Sequence, residues 1–142
     1  MATTATLNLS SDMLSSPISI SASTTLTKAA LTTDLELIEM GRGTIAETDA
    51  SKTAEFGLGT TLGIDKAAKL FLVNKATDPT YYIDVDIHDT NLGRLYAGDW
   101  LFIPWGINDV ASEIVIEAEP SGAICPYEFA LFQEPQTLVA HS

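Results

Sequence analysis

Cysteine is almost missing from this chain. Cys125 is the single one in 142 residues, so no intrachain disulfide can form. That suits a protein folded in a reducing compartment, whose core must hold without covalent staples. Cations are also scarce. Lys28, Arg42, Lys52, Lys66, Lys69, Lys75 and Arg94 are scattered against 19 acidic residues, giving a net charge of -12. A nucleic-acid binder needs clustered cations to displace condensed counterions, so binding to DNA or RNA is not expected. Histidine occurs twice, as His88 and His141. No apolar run approaches the roughly 18 residues that span a bilayer. The opening "MATTATLNLSS" has neither a basic region nor a long apolar stretch, so no secretory signal and no membrane partner are expected.

What is present is β-forming sequence. Residues 1–25 are rich in Ser, Thr and Ala, nearly uncharged, with alternations such as Ile18-Ser19-Ile20-Ser21. They read as an extended N-terminal arm able to add as a strand to a neighbouring subunit. Residues 26–135 read as one β-sandwich or jelly-roll domain, and residues 136–142 as a tail. "TLTKAALTTDLELIEMGRGTIAET" carries β-like pieces punctuated at Thr33-Asp34 and Gly41-Arg42-Gly43. "DASKTAEFGLGTTLGID" reads as a loop or an irregular edge segment. A strand is predicted around Lys69–Asn74, followed by a "TDPT" turn.

In "YYIDVDIH", Ile83, Val85 and Ile87 point one way, and Tyr82, Asp84, Asp86 and His88 the other. "DTNLGR" and Gly98-Asp99 read as turns. "WLFIPW" has apolar residues at every position but the proline, which predicts a strand buried on both faces. "SEIVIEAE", an "EPSG" turn and "YEFALFQ" complete the pattern. No amphipathic helix and no repeat emerge, so the fold class is all-β.

Candidate chemistry is thin. Asp84, Asp86 and His88 share one strand face at about 7 Å spacing and are weak candidates for a metal site. The opposite face is the better core, so the acidic face is expected to meet solvent. Cys125, in "AICPYE", has no histidine beside it in sequence and reads as a small core residue. There is no Gly-x-Ser-x-Gly elbow and no glycine loop leading into a helix. No catalytic residue, cofactor or resident metal is expected, and the chain is not expected to be an enzyme. Tyr96, Trp100, Phe102 and Trp105 serve either a core, a subunit interface or sugar stacking.

Two resemblances follow from these segments. Gly98, five residues, then Pro104-Trp105-Gly106 resembles the tail of the cupin signature. That family's metal ligands would fall on Asn91 and near Asp84 and Asp86, none of which is histidine or glutamate. The likeness covers a hairpin and no ligand set.

The second resemblance is broader. The uncharged arm "LNLSSDMLSSPISISASTTLTKA" is followed by "KLFLVNKATDPTYYIDVDI", "LGRLYAGDWLFIPWG" and "SEIVIEAEPSGAICPYEFALF". Over residues 65–133 this succession resembles small β-rich virion proteins of tailed bacteriophages, most of all capsid decoration, or cement, proteins. The resemblance implies a homotrimer on the capsid surface of a virion, made in the host cytoplasm. Its partner would be the major capsid protein, whose neighbouring subunits it would bridge. Tail, neck or fibre-associated proteins, a carbohydrate-binding β-sandwich and a degenerate cupin are the other readings.

Overall fold

The computed structural model describes residues 2–11, 18–27, 35–47, 53–56, 66–87, 90–107 and 114–137. Among these the chain is all-β, with ten strands and no helix. The strands are β1 (Ala2–Ser11), β2 (Ile18–Thr27), β3 (Leu35–Ala46), β4 (Thr53–Phe56) and β5 (Lys66–Asn74). They continue as β6 (Tyr82–Ile87), β7 (Thr90–Tyr96), β8 (Trp100–Ile107), β9 (Ile114–Glu119) and β10 (Ile124–Thr137). One sheet has the order β1-β2-β3-β10-β5-β8 and the other β4-β9-β6-β7. All neighbours are antiparallel except β2 and β3, which run parallel over two pairs, Leu26 with Leu35 and Thr27 with Glu36.

From β3 onward the pairing is nested. Strand β6 pairs with β7, β5 with β8, β4 with β9 and β3 with β10. The chain therefore runs out and back as one long folded hairpin. Two further ladders, β10 with β5 and β9 with β6, roll that hairpin into the two sheets.

Their inner faces meet in a single core. The predicted alternation in "YYIDVDIH" holds: Ile83 and Val85 are buried and Ile87 is partly buried against them. Beside them in the same sheet are Ile114, Ile116 and Ala118 of β9, and from the other sheet come Leu70 and Leu72 of β5 and Cys125, Tyr127 and Leu131 of β10. Each fully buried Leu or Ile contributes about 2 kcal/mol of transfer free energy. A core of this kind holds a domain without disulfides, which is the role the single cysteine requires of it.

Strand β3 runs unbroken through Gly41-Arg42-Gly43, where the sequence suggests punctuation. The reason lies across the ladder. Gly43 is paired with Tyr127 and Gly41 with Phe129. A Cβ on Gly43 would stand 2.5 Å from the Tyr127 hydroxyl oxygen, and one on Gly41 3.2 Å from the Phe129 ring. Glycine here lets aromatic rings lie over the neighbouring backbone rather than marking a turn.

Three other expectations are corrected. "TNLGRLY" is strand β7, not a turn, because its backbone pairs with β6 and a bulge at Leu92 absorbs the register shift. Strand β10 continues to Thr137, into the stretch expected to be a tail. Strand β8 is an edge strand and is not buried on both faces: Trp100 and Pro104 are exposed, and Leu101, Phe102 and Ile103 are half-buried. Its apolar residues serve two different surfaces, Leu101 and Ile103 the core and Phe102 the outside of the sheet. The segment expected as an irregular edge contains β4, which is an edge strand of the four-stranded sheet.

Asn74 ties the sheets together at the end of β5. It is fully buried; its Nδ2 donates to the Leu95 carbonyl at 2.9 Å and its Oδ1 accepts from the Ala76 N–H at 2.8 Å. Its backbone meets the β7–β8 turn, donating to Asp99 O at 3.0 Å and accepting from Gly98 N at 2.9 Å. Gly98, at φ 87°, supplies the left-handed backbone that turn requires.

Candidate functional site

The two outward faces differ in chemistry. On the six-stranded sheet, the ladders align three rows of residues across β3, β10, β5 and β8. The first is Arg42, Glu128, Val73 and Trp100; the second Met40, Ala130, Phe71 and Phe102; the third Leu37, Phe132, Lys69 and Pro104. The middle row is entirely apolar, and aromatic rings join it to its neighbours. Phe71 lies 6.4 Å from Trp100 and Phe102 lies 6.2 Å from Phe132, centroid to centroid. Phe132 and Ala130 are buried in this outer cluster, while Met40 is 64% and Trp100 49% exposed at its margins. Of the large apolar side chains in these rows, Met40 and Trp100 remain at the surface, and Phe71 and Phe102 are half-buried. Arg42 and Glu128 form an ion pair at 3.6 Å within the first row.

On the four-stranded sheet the outward residues are mainly polar, with carboxylates prominent among them. Tyr82, Asp84 and Asp86 of β6 stand beside Glu119, Glu117 and Val115 of β9. On the other side, Tyr82 and Asp84 face Tyr96 and Arg94 of β7. Arg94 organises this face. Its guanidinium lies 4.5 Å from the centroid of the Tyr82 ring, and its Nε donates to Asp84 Oδ1 at 3.3 Å. Tyr82 and Tyr96 are 5.3 Å apart. Hydrogen bonding to Tyr96, then the fields of Tyr82 and Asp84, hold the Arg94 pKa above its ordinary value. Asn91 adds a second donor to Asp84 Oδ1 at 3.4 Å.

This geometry places the residues singled out from sequence. Asp84 is engaged by Arg94 and Asn91, and its side chain is only 19% exposed. Asp86 is half-buried on the same face, and His88 lies outside the described residues. Among the described residues no three His, Cys, Asp or Glu side chains converge to hold a metal. The positions that carry ligands in a cupin, Asn91, Asp84 and Asp86, are on the outer face, and hydrocarbon from Ile83, Val85 and Leu95 fills the space inside.

The four aromatic residues divide. Tyr96, 43% exposed, and Trp100 flank the turn at Gly98-Asp99, and Phe102 is half-buried in the outer cluster. Trp105 pairs with Ala68 through its backbone, and its side chain lies outside the described part of the structure. Cys125 is buried in the core, as its surroundings in sequence suggest; its Sγ lies 3.5 Å from the Tyr82 carbonyl oxygen. Burial pushes its thiol pKa up, partly offset by hydrogen bonding to the backbone of Glu119.

Sequence reasoning misses Met40, Phe71 and Arg94 as residues of the outer faces, and Phe132 as the buried ring beneath one of them. The period-2 pattern marks Phe71 and Phe132 as apolar but does not say that their shared face looks outward. No family model, curated protein or solved structure matches the chain.

Proposed function

We propose that this chain is a structural protein of a phage virion, a decoration protein that bridges major capsid subunits on the outer shell as a homotrimer. The observation that carries the reading is the aromatic outer face of the six-stranded sheet. Met40 and Trp100 stand exposed at its margins and Phe71 and Phe102 are half-buried, and this apolar surface is what a partner protein would cover. The acidic balance keeps free subunits soluble and steers them away from packaged nucleic acid. Repeated modest contacts over a lattice then sum to firm attachment.

The strands β3–β10 read as a jelly roll, and the nested pairing with sheet orders 3-10-5-8 and 4-9-6-7 supports this. Residues expected as an N-terminal arm include a ribbon of two strands, β1 on β2, which among the described residues pairs with β3 at Leu26 with Leu35 and Thr27 with Glu36. That slender junction supports a role as an appendage to the sandwich.

Native mass spectrometry and co-sedimentation test the proposal together. The expected results are a metal-free trimer, and saturable binding of the full chain to shells assembled from a phage major capsid protein. A monomer carrying one metal per chain, with no shell binding, would refute it and return attention to a jelly-roll enzyme. One observation favours a second reading: Tyr96 and Trp100 are both exposed beside one turn, an arrangement suited to stacking on a sugar. Glycan binding that Trp100→Ala abolishes without unfolding the protein would establish that reading instead.

A further inference from the structure

The six-stranded sheet ends in two strands, β1 and β8, each with one hydrogen-bonded neighbour among the described residues. A sheet edge presents a row of N–H and C=O groups, and proteins that must stay apart guard such edges with charges. The edges of the four-stranded sheet follow that rule, with Glu55 in β4 and Arg94 in β7. The edges of the six-stranded sheet do not. Of the ten strands, only β1, β2 and β8 contain no charged side chain. Two of these three are the edges, and the third carries β1. In a chain of net charge -12, copies repel one another over most of their surface. Contact between β1 and β8 brings no like charges together. Their lengths also match, ten residues against eight.

We propose that β1 of one copy pairs with β8 of a second copy, so that the six-stranded sheet continues across the subunit boundary. The two edges differ, so the contact is heterologous: each copy gives β1 and receives on β8, and a suitable rotation closes a ring. The hairpin β1–β2, joined to the body by two residue pairs among the described residues, supplies the reach. Phe102 and the exposed Trp100 on β8 then bring the outer aromatic cluster up to the incoming strand. Pro104 removes one donor from the receiving edge, so the ladder has one bond fewer at that position. This pairing rests on the structural-assembly reading above and names the subunit contact within it.

The test is cross-linking between two full-length variants, differently tagged and co-expressed. One carries Thr6→Cys or, to sample the other face of β1, Leu7→Cys. The other carries Pro104→Cys, with Trp100→Cys as the alternative should that variant fail to fold. Cys125 stays in place, buried and with its thiol pKa raised. A short bis-maleimide is the probe. Side chains on paired strands meet at roughly millimolar effective concentration, so at about 10 μM protein the mixed dimer should form about a hundredfold faster than dimers in either variant alone. Mixed dimers that form no faster than same-variant dimers, with Thr6→Cys and with Leu7→Cys alike, would overturn the pairing. Shell binding by the wild-type chain without mixed cross-links would refute the pairing and leave the decoration role standing. Mixed cross-links without shell binding would do the reverse.

Discussion

Replacing Asn74 by alanine should be among the most costly single changes in this protein. The side chain is fully buried and uses both ends, Nδ2 on the Leu95 carbonyl at 2.9 Å and Oδ1 on the Ala76 N–H at 2.8 Å. Alanine removes two hydrogen bonds worth about 1 kcal/mol each and leaves their backbone partners short of a bond in a place water reaches poorly, for a total near 3 kcal/mol. In a chain of this size that lowers the melting temperature by roughly 10 °C.

Asn74→Asp sharpens the test. It keeps the shape and the acceptor for Ala76 but points a carboxylate at the Leu95 carbonyl. Burial beside that oxygen raises the new acid's pKa. The folded state then holds its proton where the unfolded state has lost it, so stability rises as pH falls. Urea unfolding followed by tryptophan fluorescence, at pH 7 and pH 5, measures both variants. The reasoning fails if Asn74→Ala lies within about 1 kcal/mol of wild type, or if Asn74→Asp shows no gain on acidification.

Three further outcomes are expected. Gly43→Ala, whose Cβ would sit 2.5 Å from the Tyr127 hydroxyl oxygen, should cost about 2 kcal/mol by overpacking; Gly41→Ala, with 3.2 Å to the Phe129 ring, should be near neutral, and equal thermal shifts would refute the difference. Cys125 should react with a thiol reagent only after unfolding. Its raised pKa keeps the thiol protonated in the folded state, so its contribution is present below the ordinary value of 9.0 and declines as pH rises through and above it; a native protein labelled as fast as an unfolded one at pH 8 would contradict this. Asp84→Asn with Asp86→Asn should cost about 1 kcal/mol or less, the worth of a pairing at the surface with the half-exposed Arg94, and chelators should leave the melting temperature unchanged.

The strands with a strict period of two are legible in the sequence. Ile83 and Val85 turn inward as the alternation in "YYIDVDIH" requires, and "SEIVIEAE" gives Ile114, Ile116 and Ala118 to the core in the same way. Strand β7 is not legible. Its Asn91 and Gly93 are turn-formers by local preference, and only pairing with β6 makes them strand. Strand β8 misleads for the opposite reason. An apolar run on both faces is the signature of an interior strand, but here the second face joins the outer cluster of Phe71, Phe102 and Phe132. Asp84 shows the same limit at a single residue. Its partner Arg94 lies ten positions away and becomes a neighbour only through the β6–β7 ladder.

The sequence by itself determined that the protein is all-β, that its core is aliphatic, and that its N-terminal segment is uncharged and β-capable. Each of these is a local property, set by composition and by side chains alternating across a pleat. Tertiary structure decided which strands lie at the edges, which apolar face looks outward, and which residues line up across the ladders. Those outcomes depend on hydrogen-bond partners far apart in the chain, such as β3 with β10, and the pleat repeats identically whichever partner a strand finds.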